Sequence, residues 1–142
     1  MGNESATFDA DDEFFQKGLG VRRAVLGEEY VEQSLAQATD FTRDFQIHIT
    51  RSAWGEIWSR PGLDRATRSI VTLSILIAQG QHEELALHTR GALTNGVTRD
   101  QIKEILLHAS VYSGVPAANE AVKVVARVFE ELDADSSLPN HD

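Results

Sequence analysis

The densest group of reactive side chains in the sequence is Gln81, His82, Glu83, Glu84, His88 and Arg90. Glu84 and His88 are four residues apart, so on a helix they stand one turn above each other on a single face. A carboxylate in that position orients the imidazole, fixes its tautomer and raises its pKa, which suits general acid–base chemistry near neutral pH. The plain alternative is a surface ion pair of little consequence for stability. His82-Glu83 begins like a zinc-protease helix, but Ala86 stands where that motif needs a second histidine. No two histidines fall at ligand spacing on a helix, so a protein-built metal site is not expected. His48 and His108 lie on predicted helices without a fixed carboxylate partner and read as surface or core-edge residues.

Arg65 and Arg68, one turn apart, form a second feature. With Arg60 and Arg90 they suit bidentate binding of carboxylates, or else they balance the charge of Asp64, Glu56 and Glu83. Trp54, Trp58 and Tyr112 are candidates to wall a pocket, although aromatic residues at helical spacing also serve as core. No serine sits in a nucleophile elbow, and no glycine run has the form of a phosphate-cradling loop.

The elements that must hold these residues are helical throughout. An opening helix carries Phe14, Phe15 and Leu19 and is expected to stop or kink near Gly18 and Gly20. Gly27 ends it, and Tyr30, Val31, Leu35 and Ala38 carry a short second helix. A third, capped by Asp40, places Phe41, Phe45, Ile49, Ala53 and Ile57 at intervals of four. Pro61-Gly62 is a turn, and Asp64 caps a fourth helix running to about Gln79, apolar nearly all round. Gly80 breaks the chain before a fifth helix, His82 to Thr94, which Asn95-Gly96 terminates in the left-handed manner. Thr98 and Gln101 form a capping box for the sixth, and Pro116 suits the first turn of a seventh that continues to Leu132. The pattern predicts an all-α fold of about six or seven helices: one domain over residues 11–133, with flexible tails at 1–10 and 134–142.

Composition narrows the chemistry. The 142 residues contain no cysteine, which excludes disulfides, thiolate metal sites and thiol nucleophiles. A formal charge of -9 argues against a nucleic-acid partner, which needs a basic face to displace counterions. The strongly apolar stretch Ile70 to Ala78 is far shorter than the roughly twenty residues that span a bilayer. The first eighteen residues lack both a basic start and an apolar run, so a soluble, cytoplasmic protein without membrane contact is expected.

Several stretches resemble the carboxymuconolactone decarboxylase family. They are Trp54-Gly55-Glu56-Ile57-Trp58, Arg60-Pro61-Gly62-Leu63-Asp64 with Arg68 and Thr72, Glu84-Leu85-Ala86-Leu87-His88, Asn95-Gly96-Val97-Thr98, Glu104-Ile105-Leu106-Leu107, and Tyr112-Ser113-Gly114-Val115-Pro116-Ala117-Ala118-Asn119. The resemblance runs in order from about Gly18 to Leu132. It implies an alkylhydroperoxidase-like helical fold and a homo-oligomer, most often a hexamer. The redox relatives of that superfamily carry two cysteines and a histidine on the fifth helix, near Gln81, Glu84 and His88. Without either thiol, their peroxidase chemistry cannot run here.

The resemblance also implies decarboxylation of 4-carboxymuconolactone to 3-oxoadipate enol lactone in protocatechuate catabolism. Such a substrate is its own electron sink, so no cofactor is expected. His88 and Glu84 are then the catalytic pair. Arg68 and Arg65, with Trp54, Trp58, Tyr112 and Gln81, are the expected substrate-binding residues; the family more often has a basic residue near position 81. Two other readings stay open: a decarboxylase or isomerase of a related lactone, and a non-catalytic oligomeric binding protein of the same fold.

Overall fold

The computed structural model describes residues 12–136, and no strand occurs among them. The elements are α1 (Glu13–Leu26), α2 (Glu28–Ala36), α3 (Arg43–Ile49), a π-helical segment (Thr50–Trp58), α4 (Arg65–Gln79), α5 (His82–Thr94), α6 (Arg99–Tyr112) and α7 (Val115–Ser136). The all-α, alkylhydroperoxidase-like fold expected from the sequence is the fold observed. The expected tail at 1–10 lies outside the described residues. α7 continues three residues beyond the expected boundary at Asp133, and the rest of that tail is also outside them. The chain divides into two compact units between Arg65 and Ala66.

In the first unit, α1 packs against the π-helical segment. The sequence predicted a break near Gly18 and Gly20, but α1 runs unbroken through both. Gly18 is there for proximity. A Cβ on it would lie 2.0 Å from the Thr50 carbonyl oxygen and 2.8 Å from the Gly55 nitrogen. Gly55 answers in kind, since a Cβ there would lie 2.5 Å from the Phe14 carbonyl oxygen. Two missing side chains thus let two backbones touch. Arg22 is buried beside this contact and donates to Gln46 Oε1 and Thr50 Oγ1, both at 3.0 Å. Trp54 is 5% exposed and packs with Val21 and Val25, while Trp58 stacks on it with ring centroids 5.0 Å apart. The long third helix of the sequence pattern is instead α3 followed by the π turns, a wider winding that periodicity does not reveal.

The second unit has its own core. Leu73 and Ile77 of α4, Leu85 and Ala92 of α5, Ile102, Ile105 and Ala109 of α6, and Ala121 and Val125 of α7 are buried together. Its connections follow the local signals. After α4, Gly80 adopts φ 66°, its N–H donates to the Ile77 carbonyl and the Gln81 N–H to the Leu76 carbonyl. The same paired bonds close α5, where Gly96 at φ 93° donates to Leu93 and Val97 to Ala92. Both are Schellman closures that satisfy terminal carbonyls. The Thr98–Gln101 capping box is formed in both directions.

Two alanine substitutions test the proximity argument. Gly18→Ala should destabilise the protein by about 2 kcal/mol or more, because the clash is with backbone atoms that cannot rotate away. Gly20→Ala meets nothing within 4 Å and should stabilise by about 0.5–1 kcal/mol through helix propensity. Urea unfolding of the two variants against the parent measures both, and equal effects would remove the distinction.

Candidate active site

The four described histidines occupy different environments. His48, His82 and His108 are exposed, whereas His88 retains 9% of its surface. The helix explains why. Leu85, His88 and Ala92 fall at i, i+3 and i+7 on α5, and Leu85 and Ala92 are fixed in the core of the second unit. Glu84 stands one turn earlier with its carboxylate half exposed, and its Oε2 is 3.6 Å from His88 Nε2. Gln81, at the N-cap of α5, completes a stripe of Gln81, Glu84 and His88.

Burial decides the protonation of this pair. The sequence spacing suggested that Glu84 would raise the imidazole pKa. Instead, loss of solvent around His88 pushes it down to about 4. A charged imidazolium is penalised away from water, and a half-solvated carboxylate at 3.6 Å does not offset that. His88 is therefore a neutral imidazole at pH 7. In that form it offers one N–H donor and one acceptor nitrogen, not a positive charge.

The remaining expected residues are distributed as follows. Arg68 is half-buried on α4, with Arg65 exposed at the first position of the same helix. Arg90 is taken by Glu131 of α7, Nη2 to Oε2 at 2.5 Å. Trp54 and Trp58 belong to the first unit, where Trp54 is core. Tyr112 is 81% exposed and stacks on His108, with ring centroids 5.0 Å apart. These two line a hollow of about 640 Å³ with Glu104, Ser74 and Ile70. His88 is not among its lining residues.

His48 and His108 are exposed, in keeping with the surface reading of the sequence. Each has an acidic residue four positions earlier, Asp44 and Glu104, and each shares a hollow with it. Among the described residues no group of three or more histidine, aspartate or glutamate side chains is placed to hold a metal ion.

A buried imidazole with a neighbouring carboxylate, on a helix of the alkylhydroperoxidase-like class without thiols, has the groups that proton and hydrogen-bond chemistry requires. Residues 43–127 match the Carboxymuconolactone decarboxylase family, and the chain belongs to that family. Over 132 residues it is 48% identical to a protein of Acinetobacter baylyi named 4-carboxymuconolactone decarboxylase, covering 93% of this chain and 98% of that one. It is 46% identical over 132 residues to a protein of Metarhizium robertsii named nitrosuccinic acid decarboxylase, covering 93% and 92%.

The depressed pKa has a measurable consequence. A group whose pKa falls from 6.5 unfolded to about 4 folded contributes stability that is complete above pH 6.5 and is lost as pH drops toward 4. That loss amounts to roughly 3 kcal/mol. A His88→Gln variant should lose less stability than the parent between pH 7.5 and pH 4 by about that amount. Parallel pH–stability curves would show that His88 is not held neutral.

Proposed function

We propose that this protein is a cofactor-independent decarboxylase of 4-carboxymuconolactone, releasing carbon dioxide and 3-oxoadipate enol lactone in protocatechuate catabolism. The observation that carries the proposal is the buried, neutral His88 with the Glu84 carboxylate beside it. The similarity to a named 4-carboxymuconolactone decarboxylase over nearly the whole of both chains supports the choice of substrate.

The chemistry follows from where the electrons go. As the bond to the departing carboxylate breaks, its electron pair moves through the ring double bond onto the lactone carbonyl oxygen. The His88 N–H donates to that oxygen as charge develops. A proton then adds to the carbon beside the carbonyl and closes the balance. His88 supplies it in the following way. A dianionic substrate entering the site replaces solvent with negative charge and favours the imidazolium, so His88 takes up a proton on binding and returns it after carbon dioxide leaves. Glu84 holds the imidazole orientation through both steps, and Gln81 extends the polar stripe toward the substrate.

Arg68, with Arg65 one turn earlier on α4, binds the carboxylate that is retained. In a protein of charge -9, local guanidinium groups are needed to draw an anion against the overall field. The departing carboxylate is better left without a salt bridge, because strong ground-state binding would slow its loss. The protein works in the cytoplasm as a homo-oligomer, a hexamer being the expected size.

A second reading rests on the relative named nitrosuccinic acid decarboxylase. In nitrosuccinic acid a nitro group takes the place of the lactone carbonyl as electron sink, and a second carboxylate again provides the grip. Both molecules ask the site for one donor at a developing oxyanion and one proton at carbon.

Carbon dioxide release from each of the two acids, offered separately, decides between them. With the preferred substrate, His88→Ala and Glu84→Gln should each lower kcat by about a hundredfold. Near-normal turnover in both variants would overturn the acid–base assignment, and saturable binding without carbon dioxide release would indicate a binding protein.

A further inference from the structure

Among the described residues, the buried polar and charged side chains are Arg22, Thr50, Ser69, His88 and Thr89. Arg22 and Thr50 bond to each other, and Thr89 donates to the Leu85 carbonyl of its own helix. His88 has Glu84 one turn away. Ser69 is satisfied from another element. Its Oγ accepts a hydrogen bond from Nδ2 of Asn95, 26 positions on, at 2.9 Å. Ser69 is 1% exposed and heads the buried stripe of α4, followed by Leu73 and Ile77 at intervals of four. An alanine would fill the same apolar stripe, so the oxygen is what this position adds.

The two partners stand next to the groups that the proposed reaction uses. Ser69 directly follows Arg68. Asn95 is the C-cap of α5, and its own N–H donates to the Gly91 carbonyl. His88, Ala92 and Asn95 fall at i, i+4 and i+7, so Asn95 extends the His88 stripe by two turns, about 10 Å along the axis. The bond therefore joins the turn of α4 that carries Arg68 to the end of the helix that carries His88. Leu73 and Ile77 share a core with Leu85 and Ala92. Apolar contacts of that kind are non-directional and tolerate a small slide of one helix along another. A hydrogen bond has a distance and an angle to keep, and does not.

We propose that Asn95 is a positioning residue for the decarboxylation: by holding Ser69 it sets where Arg68 places the substrate relative to His88. This rests on the decarboxylase reading above and adds how the two ends of that site are kept in register. The substrate has a limited span between the carboxylate that is retained and the carbon that takes the proton. A slip of one residue between α4 and α5 would shift Arg68 by about 1.5 Å along the helix axis. The substrate moves with the guanidinium that grips it, so the error is carried to the reacting carbon. Misplacement of about 1 Å there costs up to about a hundredfold in rate. The effect therefore falls on turnover and spares binding.

The test compares Ser69→Ala and Asn95→Ala with the parent at a temperature where circular dichroism shows all of them fully folded. Each variant should release carbon dioxide from the preferred acid with kcat lowered about tenfold and KM within about twofold of the parent. Both delete the same bond, so the double variant should be no slower than the slower single one. Ser69→Ala removes one oxygen from a buried position and gives the same measurement if Asn95→Ala folds poorly. A parent that releases carbon dioxide from neither acid overturns the decarboxylase reading and this proposal with it. An active parent whose variants keep kcat, raise KM alone or lose turnover in independent multiplicative steps overturns the positioning role alone.

Discussion

Desolvation of one imidazole organises the chemistry of this fold. A histidine at 9% exposure cannot hold its charge as it would in water, and its pKa falls to about 4. That condition depends on α5 being fixed in depth and rotation. Leu85 and Ala92 set the rotation by occupying the core on the same stripe, and the two Schellman closures, before and after the helix, set its ends. A change in winding anywhere between Gly80 and Gly96 would turn His88 toward water and restore an ordinary imidazole. The core packing of the second unit and the state of its reactive group are therefore one constraint.

Under the proposed mechanism, the neutral resting state gives the substrate a part in activating the site. A permanently charged imidazolium would attract any anion and would already be partly satisfied by Glu84. In the proposed mechanism a neutral imidazole leaves recognition to the arginines of α4 and acquires its charge only when an anion arrives. This division of labour suits a reaction whose electron sink lies within the substrate, whether a conjugated lactone carbonyl or a nitro group. Neither sink needs a redox-active side chain. In the proposed mechanism a cysteine-free α5 needs only Gln81, Glu84 and His88.

Legibility in the sequence followed the range of the interaction. The ends of α4, α5 and α6 were readable because Gly80, Asn95-Gly96 and the Thr98–Gln101 pair act within a few residues of themselves. Gly18 was misread as a helix breaker because its partner, the Thr50 carbonyl, is 32 positions away. The π-helical winding around Gly55 was invisible for the same reason. The same four-residue spacing of acid and histidine occurs three times in the chain, at Asp44/His48, Glu84/His88 and Glu104/His108. Burial separates them, and burial depends on what the rest of the chain places over each helix. Family resemblance singled out the middle pair, but the direction of its pKa shift followed only from the packing.

The apolar stripes of α6 and α7 bear on the same point. A 77-residue unit from Ala66 to Asp142 has little interior to share among four helices. It uses one stripe of α7 to support α5 and one of α6 to close the core. Leu107, Val111, Val115 and Val122 are the exposed apolar side chains of the outer α6–α7 surface. The helix that carries the imidazole is braced by α7, so the buried stripe of α7 helps to hold His88 in place.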